Sequence, residues 1–176
     1  MYARRRHPAE APRRKQPSPR FLPATALVAL ALLLAACAGG GPVRRVSEPA
    51  ANVQQLTVQA DGSWLVDVRI DNFSSVPMRF ERVDLAMTIA GQAATSLQAS
   101  PSLTIGPESA DVASIRAMPP AGAKIAVADA LSRRRAIDYH LEGTLTAAPE
   151  RGGSRGYKVE RDNALSPVPG ITGVMR

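Results

Sequence analysis

The feature that most constrains this chain is a strict period of two. From Ser63 to Asp71, Val66, Val68 and Ile70 fall on one side while Asp67, Arg69 and Asp71 fall on the other. From Ala136 to Ala147, Ile137, Tyr139, Leu141 and Leu145 alternate with Asp138, His140, Glu142 and Thr144. Side chains of a strand point to opposite faces at successive residues, so each segment predicts a strand with one face in a core and one in water. A helix cannot satisfy this pattern, because its apolar residues must recur every three or four positions.

The remaining segments extend the same theme. A strand over Val53 to Gln59 is joined to the next through Asp61-Gly62, a hairpin signal. Met78 to Ile89 begins with Met78 and Phe80 in phase and continues with Val83, Leu85, Met87 and Ile89 in the other phase. That shift predicts a bulge near Glu81-Arg82. Ala90-Gly91 makes the next turn, and Gln92 to Leu103 and Ser109 to Met118 read as weaker strands rich in Ala and Ser. Pro119-Pro120 interrupts the sheet pattern. Ala123 to Arg134 reads as a short helix with Ile125, Ala128 and Leu131 inward and basic residues at its C-terminal end. A last strand is expected around Gly156 to Glu160, and an irregular tail over 166–176. About seven strands and one short helix in roughly one hundred residues predict an all-β sandwich, immunoglobulin-like in strand number, over 53–165.

Charge and hydropathy separate this domain from what precedes it. The net charge is +7, but seven basic residues and one acid lie before Cys37, leaving fifteen basic and fourteen acidic residues for the remainder. The domain is therefore near neutral, and nucleic acid is not an expected partner. The front segment has three parts: a basic stretch ending at Arg20, an apolar run of 14 residues from Phe21 to Leu34, and Ala35-Ala36 before Cys37. A spanning helix needs about 20 apolar residues, so a cleaved signal peptide over 1–36 is expected. Residues 37–52, with Gly39-Gly40-Gly41-Pro42, then form a flexible tether.

Leu34-Ala35-Ala36-Cys37 resembles the lipobox of bacterial lipoproteins at every position. The resemblance implies cleavage before Cys37, a diacylglycerol thioether on its sulfur and attachment to a membrane. Cys37 is the only cysteine, so it has no intramolecular disulfide partner. In the sorting pattern of such lipoproteins an Asp after the cysteine favours the inner membrane. Ala38 stands there instead, which implies the periplasmic face of the outer membrane.

Three further segments carry a second resemblance: Trp64 to Asn72 with Val76-Pro77, Val83 to Ile89 with Gly91, and Ile137 to Gly143. Together they are similar to late embryogenesis abundant type 2 proteins, the water-stress and hypersensitive-response domain. The likeness spans Val53 to Leu165, and departs from the family's Asn-Pro after the second strand, which is Asn72-Phe73 here. It implies a fibronectin-III-like sandwich and a non-enzymatic role in desiccation or envelope stress, through weak binding. The alternative expectation is an accessory lipoprotein of an envelope transport or secretion complex.

Residues able to carry chemistry are few. After cleavage His140 is the only histidine, which excludes a zinc site on ligand supply. His140 is expected outward, as an exposed structural residue. No Gly-x-Ser-x-Gly motif is present, and no cofactor or metal is expected. The pairs Glu81 with Asp84 and Asp67 with Asp71 lack the ligand spacing of a calcium loop and read as solvated sheet face. Arg133-Arg134-Arg135 is the sharpest basic feature of the domain, read first as a solvated helix end and second as a contact for anionic headgroups or peptidoglycan acids. Trp64 and Phe80 are expected in the core. Phe73, in a polar turn, is the aromatic expected to bind something.

Overall fold

The structure is a computed structural model and describes residues 44–93 and 95–176. The strands are β1 (Ala50–Val58), β2 (Trp64–Asn72), β3 (Met78–Ile89), β4 (Thr95–Ala99), β5 (Leu103–Ile105), β6 (Ser109–Ala117), β7 (Ile137–Pro149), β8 (Arg155–Leu165) and β9 (Val174–Met175), with one helix, α1 (Ala121–Ser132), between β6 and β7. They form two antiparallel sheets, ordered β6-β2-β1-β9 and β4-β3-β7-β8, and β5 also pairs with β3. The domain is an all-β sandwich with one helix, as the alternation requires.

The inward phases of the strands meet between the sheets. Val66, Val68 and Ile70 from β2 face Leu85, Leu141 and Leu145 from β3 and β7, all of them buried. Trp64 and Phe80 lie in this core. The bulge in β3 falls where the phase changes, with a register shift against β7 between Phe80 and Arg82. One bond ties the sheets together through a polar group: the Val53 N–H donates to Tyr139 Oη at 3.0 Å, from β1 to β7. Burial pushes the Tyr139 hydroxyl pKa up, so it stays protonated at neutral pH.

Four local expectations need correction. The tether expected over 37–52 is part of the domain at its far end, because β1 begins at Ala50 and the backbones of Arg45 and Ser47 are hydrogen-bonded to Ser75 and Ser74. The stretch Gln92 to Leu103 is two strands, because the chain breaks between β4 and β5 at Ser102, whose φ is 51°. β4 covers one half of β3's edge and β5 the other. The tail after Ser166 is not wholly irregular, since Val174 and Met175 are buried and pair with Thr57 and Leu56 of β1. In α1 the inward residues are Ala123, Val127 and Ala130, whereas Ile125 is 70% exposed. An Ala-rich helix has only a weak apolar stripe, so the sheet beneath it, and not the position of its one Ile, decides which side is buried.

Candidate functional site

Strand directions gather three loops at one end of the sandwich: 73–77 after β2, 106–108 after β5, and 150–154 after β7. Asn72 organises the first two. It ends β2 in the inward phase, 1% exposed, where an unpartnered amide would be costly. Its Nδ2 donates to the carbonyls of Val76 (3.0 Å), Ile105 (3.1 Å) and Gly106 (2.8 Å), and its Oδ1 accepts from the Ser74 N–H at 2.9 Å. The Glu108 N–H donates to the Ser74 carbonyl at 3.1 Å, closing the two loops on each other.

Phe73, next in sequence to this buried hub, points outward and is 50% exposed. The segment entering the domain runs beside it. Arg45 N–H donates to Ser75 Oγ (2.8 Å), Ser75 N–H to the Arg45 carbonyl (2.9 Å), and Ser47 N–H to Ser74 Oγ (3.0 Å). Arg45 lies 3.7 Å from Glu108 and Arg44 3.6 Å from Glu150, both exposed pairs. Asn72 was missed as a site residue in the sequence; its signal was a polar side chain in phase with Val66, Val68 and Ile70.

The structure places Arg133, Arg134 and Arg135 at the end of α1. Asp129 takes two of the guanidinium groups, that of Arg133 at 2.7 Å and that of Arg135. The hydrogen bond from Arg135 and the charge of Arg133 hold the Asp129 carboxyl below the usual carboxylate range. The backbone closes the helix as well. Arg134 takes a left-handed conformation, φ 53°, its N–H bonding the Leu131 carbonyl (3.2 Å) while that of Arg135 bonds Ala130 (3.0 Å). This is a Schellman closure with Arg where Gly is commonest. The triplet is thus a helix end with two of its charges answered locally.

His140 lies on the outer face of β7 at the rim of an open depression of about 780 Å³, lined also by Thr88, Asp138, Asp162 and Asn163. Its Nδ1 is 2.7 Å from Asp162 Oδ1 of β8, and its Nε2 is 3.9 Å from Glu142. The Asp162 hydrogen bond, helped by the negative charges of Asp162, Glu142 and Glu160, raises the imidazole pKa above its ordinary value. Among the described residues the hydrogen-bond and ion-pair partners of the ring are the carboxylates of Asp162 and Glu142, which favour imidazolium over a neutral general base. Glu81 accepts from Ser154 Oγ at 2.7 Å and Asp84 from Gln98 at 3.1 Å, while Asp67 accepts from Ser114 at 2.6 Å and Asp71 from Arg69 at 3.0 Å. Among the described residues no group of three or more His, Cys, Asp or Glu is placed to hold a metal ion.

Cys37 and the lipobox residues Leu34, Ala35 and Ala36 lie outside the described residues. Among the described residues no helix is long and apolar enough to cross a membrane.

No protein-family model matches the sequence, and no curated protein is similar to it. Several solved structures are similar in outline. A solution structure of a candidate late embryogenesis abundant protein is 18% identical, covering 83% of this chain and 86% of its own, with a TM-score of 0.43. A solution structure from Arabidopsis thaliana is 16% identical, over 73% of this chain and 84% of the other, with a TM-score of 0.43. A crystal structure of a protein from Archaeoglobus fulgidus is 12% identical, over 70% and 98%, with a TM-score of 0.40. Likeness at this level says nothing of what the chain does.

Proposed function

We propose that this protein is a lipid-anchored, non-enzymatic sandwich of the late embryogenesis abundant type 2 kind, acting in envelope or desiccation stress through weak binding. The observation that carries the anchor is Cys37, the sole cysteine, closing Leu34-Ala35-Ala36 after a 14-residue apolar run. Small residues before the cysteine suit an extended peptidase cleft, and more than one acyl chain is enough for stable attachment. With Ala38 after the cysteine, the proposed place is the outer membrane, facing the periplasm. The family assignment is supported by the segments 64–72 and 137–143, whose residues have definite jobs in the fold. Tyr139 bridges the sheets, and Gly143, at φ 142°, occupies a position where a side chain would meet the β3 backbone.

Mass spectrometry of the protein from membrane fractions tests the anchor. The mature chain is expected to begin at an acylated Cys37 and to leave the outer membrane fraction in Cys37→Ser; a chain retaining residues 1–36 refutes this reading. Enzyme survival after drying, with and without the protein, tests the protective role.

One observation favours the second reading, an accessory subunit of an envelope complex. Among the described residues β8 is an edge of its sheet, eleven residues long and laddered only to β7. Such an edge can accept a partner strand. In-cell crosslinking from β8 separates the two: one stoichiometric partner supports docking, and diffuse or no capture supports protection.

A further inference from the structure

The end of the sandwich that carries Phe73 is also the end at which the chain enters the domain. We propose that this end rests on the lipid bilayer, with Phe73 inserted into the headgroup and acyl boundary as a second, non-covalent contact. The proposal rests on Cys37 bearing the lipid, and names the surface that the anchored domain presents.

Three observations carry it. First, Phe73 is 50% exposed and Val46, on the entering segment, is 37% exposed, although the domain buries its other two phenylalanine and tryptophan rings, Phe80 and Trp64, almost completely. Second, the exposure is held in place. The buried Asn72 amide ties the 73–77 loop to the 106–108 loop, so an outward Phe73 loses little freedom on insertion. Third, reach is limited. Arg45 and Ser47 are hydrogen-bonded to Ser75 and Ser74, so the segment that leads back to Cys37 meets the domain beside Phe73. Six residues lie between Cys37 and Arg44, a span of about 25 Å when fully extended. Phe73 is therefore kept at an effective concentration near the millimolar range at the membrane, where one aromatic contact suffices.

Charge decides what kind of contact this is. Arg44 and Arg45 each stand opposite an acid, Glu150 and Glu108, so the entering segment adds no uncompensated charge beside Phe73. The contact is apolar and should occur on zwitterionic lipid.

The test uses the membrane-extracted protein with Phe73→Trp, and Met118→Trp as control. Met118 is 69% exposed and follows β6 at the opposite end of the sandwich. Both are reconstituted into phosphatidylcholine vesicles with and without brominated acyl chains, and buried Trp64 in the wild type gives the background. Indole emission at position 73 is expected to fall by about half, as for a ring seated about 5–10 Å into the interface, while position 118 stays unquenched. Quenching should persist as the Debye length falls from about 10 to about 3 Å between 0.1 and 1 M salt. Equal quenching at both positions, or none at 73, overturns the proposal. Crosslinking of position 73 to a protein in cells, with no quenching in vesicles, overturns it in favour of a protein partner. The anchor is read separately, from the mass of the mature N-terminus. If Cys37 proves unacylated, its thiol is coupled to a maleimide lipid, and the same pair of variants still shows whether position 73 inserts.

Discussion

Asn72→Asp is the most informative single change in this protein. The two side chains are nearly isosteric, so packing around the site is preserved and only hydrogen-bonding capacity changes. Asp keeps the acceptor for the Ser74 N–H but loses the donors that meet the carbonyls of Val76, Ile105 and Gly106. The amide's two N–H protons are shared among the three carbonyls, so at about 1 kcal/mol for each proton the loss is about 2 kcal/mol, before any repulsion between carboxylate and carbonyl oxygens. That is a large share of an ordinary domain's total stability of about 5–15 kcal/mol. With a urea dependence of about 2 kcal/mol per M, the unfolding midpoint should fall by about 1 M. Trp64, the only tryptophan and 1% exposed, reports the transition by fluorescence. A protonated Asp can donate once, so the folded pKa of the new carboxyl should lie above the ordinary value of about 3.9. The folded state then binds more protons than the unfolded one, and the deficit must grow as pH rises from about 4 through the folded pKa. A variant within about 0.5 kcal/mol of wild type at pH 7, or a deficit that shrinks as pH rises, would refute the reasoning.

Three other outcomes follow from the same geometry. The raised His140 pKa means that its pairing with Asp162 contributes fully below about pH 6.5 and is lost as pH climbs through the folded value, so Asp162→Asn should bring the imidazole titration seen by NMR back down. An unmoved titration would show that Asp162 is not the dominant cause. Gly143→Ala places a methyl against the Asp84 carbonyl and the Leu85 Cα at φ 142°, and should cost about 2–4 kcal/mol, visible as a lowered melting temperature; an unchanged melt would contradict the close approach of β7 to β3. Arg134→Gly removes a left-handed non-glycine residue and should stabilise by about 1 kcal/mol in urea titration, and a loss of stability would mean that the arginine side chain outweighs its backbone strain.

Strands β2 and β7 were legible because burial acts on them at every second residue, and a one-residue slip would turn the whole set outward. The β3 bulge was legible for the same reason, as a change of phase between Phe80 and Val83. Turn chemistry marked Gly62 and Gly91, both at positive φ. The division between β4 and β5 was marked only by Pro101, which cannot donate to a ladder, while the surrounding Ala, Ser and Gln fit strand and loop alike and Ser102 takes its left-handed turn without glycine. β9 was illegible because two residues carry no period; their burial comes from β1, over a hundred positions away in the chain. The inward side of α1 depended on what lay beneath it. At the candidate site, exposed Phe73 was visible as an aromatic in a polar turn, whereas Asn72 and the Asp129 partner of the arginines became apparent only when distant segments met.

The pairing of β1 with β9 sets a rule for the protein's birth. Leu56 and Thr57 find partners in Met175 and Val174, and Arg176 Nε donates to Gln55 at 2.8 Å. The first strand of the sandwich is completed by its last, and loop closure over that span must be achieved before its contacts stabilise anything. A nascent chain of this topology cannot finish its first sheet until β9 has emerged from the ribosome. Until then the outer edge of β1 at Leu56 and Thr57 stays unpaired, an edge open to addition of another strand.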